Sequence, residues 1–431
     1  MILLPLAGWC ADGDTFTVTT TEGQTMTVMV LSEADKTCQV GQYGTPCIDC
    51  SYEGPLTIPS EANDYIVTRI GDMAFYACRA TAVTIPETVT SIGTKAFYGC
   101  SALKHIDIPS SVTNLGQSCF TNCGLTDITI QEGVTEIPDY AFSTCTELED
   151  VSLPESLTHI GMGAFNCCYA LKSIVLPSHL TSIGSGAFFA TALTSVVLPN
   201  SVTELGYSVF SGCEKLTSFT FSTGLTSTGK SVLIGCTNIT NIVLLEGMKS
   251  IDDSAFRNCE KLTSVTIPST ITRIGDMAFC NCKSLTEVDI PEGVTSIGEY
   301  AYDGCINVET ITLPSTLTVI QSWAFYCQKD KGKLRSVTSK IQNPFDIDNT
   351  AFCNYETATL YVPKNTKGKY ESTYNWNLFQ NIVELEDAPA AIEPVKADDK
   401  TLSLYNLQGQ RLSEKPQHGI YIQGGKKYVV K

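Results

Sequence analysis

Thirteen times along this chain a phenylalanine, or a residue standing in for one, returns at an interval of mostly 22 or 23 residues, usually within AFxxC. The marks are Phe75, Phe97, Phe120, Phe142, Phe165, Phe188, Phe210, Leu233, Phe256, Phe279, Tyr302, Phe325 and, after a longer gap, Phe352. A period of this length is one supersecondary unit that cannot bury its apolar face alone, so successive units must stack on one another. The chain is therefore expected to be a repeat solenoid of about 13 coils rather than a globular enzyme domain.

One copy, residues 256–278, reads FRNCEKLTSVTIPSTITRIGDMA. Val265 and Ile267 stand two apart, the period of a strand with one buried face. Pro268 ends that strand because it has no N–H for a sheet ladder. Ile271, Ile274 and Ala278 follow at three- to four-residue spacing, too short a run for a full helix, and read as turns or 3₁₀ pieces. Each coil is thus one short strand plus a compact return, and the strands build a parallel sheet on one face.

Leu262, Val265 and Ile267 reproduce the LxxLxL core of leucine-rich repeats, and AFxxC and a strand-ending IP or LP are added to it. With these additions residues 56–385 resemble the BspA-like (LRR_5) leucine-rich repeat family of bacterial and protozoan surface proteins. The resemblance implies an α/β-type leucine-rich repeat solenoid, mostly β, on a non-catalytic protein exported to the cell surface. It also implies adhesion to protein partners, with host extracellular-matrix and plasma proteins among them. A scaffold of this kind leaves the partner unspecified, because function resides in the residues it displays.

The flanks have a different character. MILLPLAGWC is a short apolar stretch without basic residues, so 1–11 read as a signal-peptide remnant. Trp9 stands where a lipobox wants a small residue, which argues against a lipid on Cys10. In residues 12–55, Phe16 and Val18 and then Met26, Val28 and Val30 alternate on either side of Glu22-Gly23, the pattern of a β-hairpin that caps the first coil. At the far end a last strand at 360–362 and a short amphipathic helix carrying Tyr370, Tyr374, Trp376 and Phe379 are expected to close the stack. Residues 386–400 read as a linker. Residues 401–431 carry two alternating strands around Gly409 and Gly419, and resemble a shortened form of the C-terminal sorting segments of proteins exported by surface-associated bacteria of the mouth and gut.

A net charge of −17 disfavours nucleic acid and anionic membranes as partners, and no apolar run reaches the 18 residues of a membrane span. Of the 19 cysteines, ten lie three residues after the mark: Cys78, Cys100, Cys123, Cys145, Cys168, Cys213, Cys236, Cys259, Cys282 and Cys305. They are expected to form an internal column of free, packed thiols. The odd total argues against a regular disulfide framework. Cys47-Ile48-Asp49-Cys50, with Cys38 nearby, lacks the His or second CxxC of a zinc site. A local disulfide or free thiols is the expectation there, with metal or redox chemistry as the open alternative.

Four scattered histidines and the absence of GxSxG, HExxH and GxxxxGK[ST] leave no catalytic, cofactor-binding or metal-binding residues to nominate. The pairs Asp12/Asp14 and Asp346/Asp348 read as solvated acids. Two surfaces are candidates for binding a protein partner. One is the outward row of the strands, mostly Ser and Thr, with His105, Asp107, Asp127, Asp150, Glu287 and Asp289 toward its ends. The other is an insertion in the twelfth coil, where Lys329, Lys331, Lys333, Arg335 and Lys340 cluster in an otherwise acidic chain. Plain cross-strand packing and a solvated basic loop are the competing readings of these two features. At the level of function, a structural spacer or envelope component with no ligand is the alternative to a binding protein.

Overall fold

The computed structural model describes residues 11–327 and 332–385 and, beyond them, short strands within 404–430. It divides into one unit up to Glu384 and a second from Leu385 onward. The first unit is a parallel-stranded solenoid in which all thirteen marks from Phe75 to Phe352 are buried. The reading of 1–11 falls outside the described residues except for Ala11, and that of the linker falls outside them entirely.

Each coil contributes to three faces. On the first, Ser264–Thr266 pairs in parallel with Asn241–Val243, Ile242 opposite Val265, so that alternate residues point inward and outward. On the second, Arg273–Ile274 pairs with Ser250–Ile251 on one side and Ser296–Ile297 on the other. The return segment is therefore a second short strand, not a 3₁₀ piece. Two residues are enough because stacking supplies a partner on both sides in most coils. Among the described residues the one 3₁₀ helix is Trp376–Leu378, beyond the last mark.

The third face is a column of turns around the marks, knitted by an alternation of backbone directions. The N–H groups of Ser254, Phe256 and Asn258 donate to Asp276, Ala278 and Cys280 of the next coil at 2.7–2.8 Å, while those of Ala255 and Arg257 close local turns. This alternation needs left-handed backbone at Ser254 (φ 56°) and Asn258 (φ 61°), and the same two positions are left-handed around Phe97 and Phe279. A non-glycine residue there costs roughly 1–2 kcal/mol. Hydrogen bonds to the next coil, each worth about 0.5–1.5 kcal/mol net, offset the cost because they form at three residues per coil.

The glycine that follows most second-face isoleucines has a separate role. A Cβ on Gly184 would lie 2.5 Å from the Met162 nitrogen of the preceding coil, so only glycine allows the coils to approach this closely.

Inside, the rings stack face to face from Phe75 to Phe210 with centroids 5.0–5.4 Å apart, and again from Phe256 to Phe352 at 4.9–5.3 Å. Leu233 interrupts the column. Phe219 and Phe221, from the strand before it, fill the space edge-on, and Phe221 meets Phe256. The cysteine column lies beside the rings. Each thiol donates to the carbonyl of the mark in the preceding coil, as from Cys100 to Phe75 at 3.0 Å and Cys282 to Phe256 at 3.2 Å. Cysteine here is a small apolar filler that also satisfies a carbonyl's second lone pair. Where the register holds Thr191 instead, its hydroxyl donates to the Phe188 carbonyl and contacts Cys213.

Nine of the ten column cysteines are free and buried, but Cys78 is bonded to Cys50. The expected column of free thiols therefore holds at nine places and is corrected at Cys78, while near Cys47 the disulfide reaches out of the neighbourhood to the column instead of closing locally. Cys50 occupies the place one rung before Cys78, so it faces the column rather than its own CxxC partner. Cys47 is free and buried, and burial pushes its thiol well up, which leaves it unsuited to redox attack. A second disulfide, Cys327–Cys353, brackets the twelfth-coil insertion.

The chain enters through an antiparallel hairpin, Thr15–Thr19 with Thr25–Ser32, which continues through Thr37–Val40 into the second-face ladder. At the other end the last strand is Asn381–Glu384, paired with Thr359–Val362, one strand later than expected. A short helix, Lys367–Ser372, and the 3₁₀ turn bury Tyr370 and Trp376, with Phe379 beside them, whereas Tyr374 is exposed. Tyr370 donates to the Ile341 carbonyl and Trp376 to that of Phe345. The second unit holds four short antiparallel strands, Leu404–Tyr405, Arg411–Leu412, Gly419–Gln423 and Lys426–Val430, rather than two. Gly409 lies outside the described residues.

Much of the negative charge is structural. Glu132 accepts the N–H groups of Glu155 and Ser156, Glu155 that of Ser178, and Asp276 that of Glu299, each one coil further on. Glu22, in the hairpin turn, accepts the N–H and hydroxyl of Thr57. Burial pushes its carboxyl up, but hydrogen bonds led by Thr21 and Thr57 outweigh this and take it from 4.5 to about 2. The Glu155 N–H likewise lowers Glu132. A carboxylate lowered in the folded state contributes stability above its unfolded pKa and loses it as pH falls through the folded value. Urea midpoints should therefore fall as pH drops from 4.5 toward about 2, and Glu22→Gln should flatten that dependence for the N-terminal hairpin. An unchanged slope in that variant would remove Glu22 from the account.

Candidate functional site: the outward strand face

The first-face strands place one residue of every two in solvent, and the sequence-nominated residues His105, Asp107, Asp127, Asp150, Glu287 and Asp289 all lie in this row. His105 joins two coils. Its Nδ1 is 2.8 Å from Asp127 and its Nε2 is 3.1 Å from Asp107. The bond to Asp127 raises its pKa, favouring an imidazolium clamped between carboxylates. Among the described residues no cation lies within salt-bridge distance of Asp150, Glu287 or Asp289. His159 and His179 are apart from this row, on Ser182 and near Glu155 respectively.

The basic insertion is only partly described. Lys329 and Lys331 lie outside the described residues. Arg335 is paired with Glu309 at 3.4 Å and Lys340 with Glu292 at 3.8 Å, so two of the nominated cations are partly neutralised by neighbouring coils. Lys333 is exposed, with its backbone N–H on the Ile306 carbonyl. Asp12 and Asp14 accept the Glu33 and Ala11 N–H groups, and Asp348 that of Thr350, which makes them turn acceptors.

The repeat predicts a continuous sheet of parallel strands, one per coil, over about residues 56–362, and the structure corrects this, because hydrogen bonding between coils fails at several places on the strand face. Its ladder breaks into separate groups of paired strands, whereas the turn column runs on past the breaks and the second-face ladder past two of the four. One break, between His105–Asp107 and Asp127–Thr129, is bridged by His105 and by the Thr126 N–H on the Lys104 carbonyl. Another, between Ser218–Thr220 and Asn241–Val243, is plugged by Phe219 and Phe221. Two stay open. After Asp150–Ser152, residues 173–175 form no strand, and after Ser264–Thr266 the pairing restarts only at Glu287–Asp289. At both openings residues that are buried in most other coils are half-exposed: Val151, Leu153, Ile174 and Leu176 at the first, Val265 and Ile267 at the second.

Among the described residues no group of three or more His, Cys, Asp and Glu is arranged to hold a metal ion, and no helix is long and apolar enough to cross a membrane. What the face offers is an extended polar surface on a stiff support. A family model for the BspA type leucine-rich repeat region matches residues 68–188, 158–286 and 249–379, with six copies of the repeat. The chain belongs to the BspA-type leucine-rich repeat family. Members of that family share the stacked coil, and solved structures show the same. A leucine-rich repeat protein from Bacteroides ovatus is 26% identical, covers 86% of this chain and 98% of its own, and superposes with a TM-score of 0.56. A leucine-rich cell surface protein from Faecalibacterium prausnitzii is 28% identical over 86% of this chain and 96% of its own, with a TM-score of 0.52. The pneumococcal vaccine antigen PcpA, at 20% identity, covers 88% of this chain and all of its own, with a TM-score of 0.52, and shares the fold. No curated protein matches the chain.

Proposed function

We propose that this chain is an exported, cell-surface-associated and non-catalytic protein that binds other proteins, acting in adhesion to host or community surfaces. The observation that carries the reading is the outward strand row: Ser, Thr and acids displayed coil after coil on a support whose own hydrogen bonds are largely satisfied from within. Membership of the BspA-type family and the likeness to a leucine-rich cell surface protein support the location. The second unit, from Leu385, is the part proposed to serve sorting or attachment. Lys333, Arg335 and Lys340, with Lys329 and Lys331, form the second candidate contact surface.

The test is retention of the full chain on immobilised extracellular-matrix and plasma proteins at low and high salt. Saturable retention that weakens as salt rises supports the reading, because charged partner contacts are screened. Replacing the five insertion cations by Ser or Gln then shows whether that surface contributes. A chain that is retained by none of these proteins, yet is present on cells, favours a ligand-free spacer.

A further inference from the structure

We propose that the first opening in the strand face, between Asp150–Ser152 and residues 173–176, is a docking slot for an extended peptide in which basic and small aliphatic side chains alternate. The inference deepens the binding reading and rests on it. Three independent observations meet at this place.

The first is missing backbone pairing. In neighbouring coils the residue before the strand donates to the coil below, as from Glu149 to the Thr126 carbonyl at 2.8 Å and Thr194 to the Lys172 carbonyl at 3.0 Å. Among the described residues no backbone hydrogen bond joins 172–176 to Glu149 or to Asp150–Ser152, and the N–H groups of 173–176 donate to no other backbone. The two coils remain bonded on their other faces, by the His159–Ile160 pair with Ser182–Ile183 and by Phe165 to Ala187. They therefore part on one face only. Unpaired edges are what an added strand completes.

The second is an apolar floor. The separation leaves a depression of about 380 Å³ floored by Val151, Leu153 and Ile174, with Val175 beside them 82% exposed. Aliphatic side chains of an alternating peptide would cover these residues on one side of its backbone.

The third is charge. Asp127, Asp150 and Glu155 line the depression and no Lys or Arg does. Asp127 is engaged by His105 and Glu155 by Ser178 and His179, while Lys172 is turned to Glu149 instead. Among the described residues Asp150 has no cation within salt-bridge distance. Cationic side chains on the peptide's other face would meet this rim, whereas an acidic peptide would be repelled. At the second opening Val265 and Ile267 lie beside Glu287 and Asp289, but the space there is only about 30 Å³, so the first opening is the slot.

The experiment measures fluorescence anisotropy of labelled octapeptides with the full chain at low and high salt. The peptides alternate Lys with Val, Glu with Val, or Lys with Ser. The Lys–Val peptide is expected to bind saturably, and the quadruple variant Asp127→Asn, Asp150→Asn, Glu287→Gln, Asp289→Asn to bind it at least about tenfold more weakly while keeping the wild-type circular dichroism. Val175→Arg should weaken binding through the floor and charge of the first slot alone. Equal affinity of the quadruple variant, or equal binding of the Glu–Val peptide, overturns the slot. So does equal binding of the Lys–Ser peptide, which would reduce the effect to attraction by net charge. Self-association of the chain that Val175→Arg abolishes would assign the slot to a second copy and also overturns the proposal. If the quadruple variant loses no retention on matrix proteins and the peptide does not bind, the slot fails while the wider binding reading stands.

Discussion

Replacing Phe256 by alanine is expected to destabilise the solenoid by about 3–5 kcal/mol, the range for a large aromatic removed from a core that cannot collapse around the gap. The ring is fully buried, stacked on Phe279 at 5.3 Å, and meets Phe221 edge-on across the place where Leu233 breaks the column. Its N–H on Ala278 and the Cys282 thiol on its carbonyl tie its backbone to the next coil, and the Leu233 N–H on the Ala255 carbonyl ties the same turn to the preceding one, so the coil cannot close over the cavity. The loss should also spread along the stack. Coils touch only their neighbours, and a weakened interface in the middle divides the array. Urea unfolding followed by tryptophan fluorescence in a Trp9→Phe background, which reports Trp323 and Trp376 on the C-terminal side, should then part from the circular dichroism transition. A change below about 1 kcal/mol with coincident transitions would mean that the ring is not a structural element.

The same column shows what a sequence of this kind discloses. Phenylalanine and cysteine at fixed offsets announce the period, the burial of the marks and the first-face strand, because each reflects a side chain repeated in every coil. The left-handed turns are hidden because the residues that adopt them, Ser254, Met277, Lys95, Tyr140, share no chemistry. What selects that conformation is a hydrogen bond to the next coil. The second-face strand is hidden for a similar reason, since Ile271 and Ile274 at three-residue spacing resemble a turn until the neighbouring coil supplies the pairing. For the candidate site, the acids of the outward row were legible from alternation along each strand. The openings beside Asp150 and Glu287 were not, because a missing hydrogen bond between coils leaves the repeat motif unchanged. Partial neutralisation of the insertion by Glu309 and Glu292 was equally invisible, since those partners come from other coils.

Breaking the Cys50–Cys78 bond is expected to cost about 3–4 kcal/mol, through the loop entropy returned to the unfolded chain by a cross-link spanning 28 residues. The effect should be concentrated at the N-terminal end. Cys50 ties the segment after Thr37–Val40 to the first marked coil, and apart from this bond the hairpin is joined to the stack mainly by the Thr37–Val40 pairing with Tyr65–Ile70 and by Glu22 on Thr57. Cys50→Ala is the informative variant because it leaves Cys78 as a free thiol at its place in the column and so isolates the cross-link. Titration of unfolded, unreduced wild type should leave Cys50, Cys78, Cys327 and Cys353 unreactive and the fourteen other described cysteines reactive, those being the free thiols of the structure. In the variant, amide exchange should quicken first in Thr25–Ser32 and Thr37–Val40, with the middle coils unchanged, since local opening follows the few contacts that hold a terminal element. Uniform exchange along the chain, or a Cys78 thiol that already reacts in the unreduced wild type, would show that the N-terminal sheet is held by packing and not by this bond.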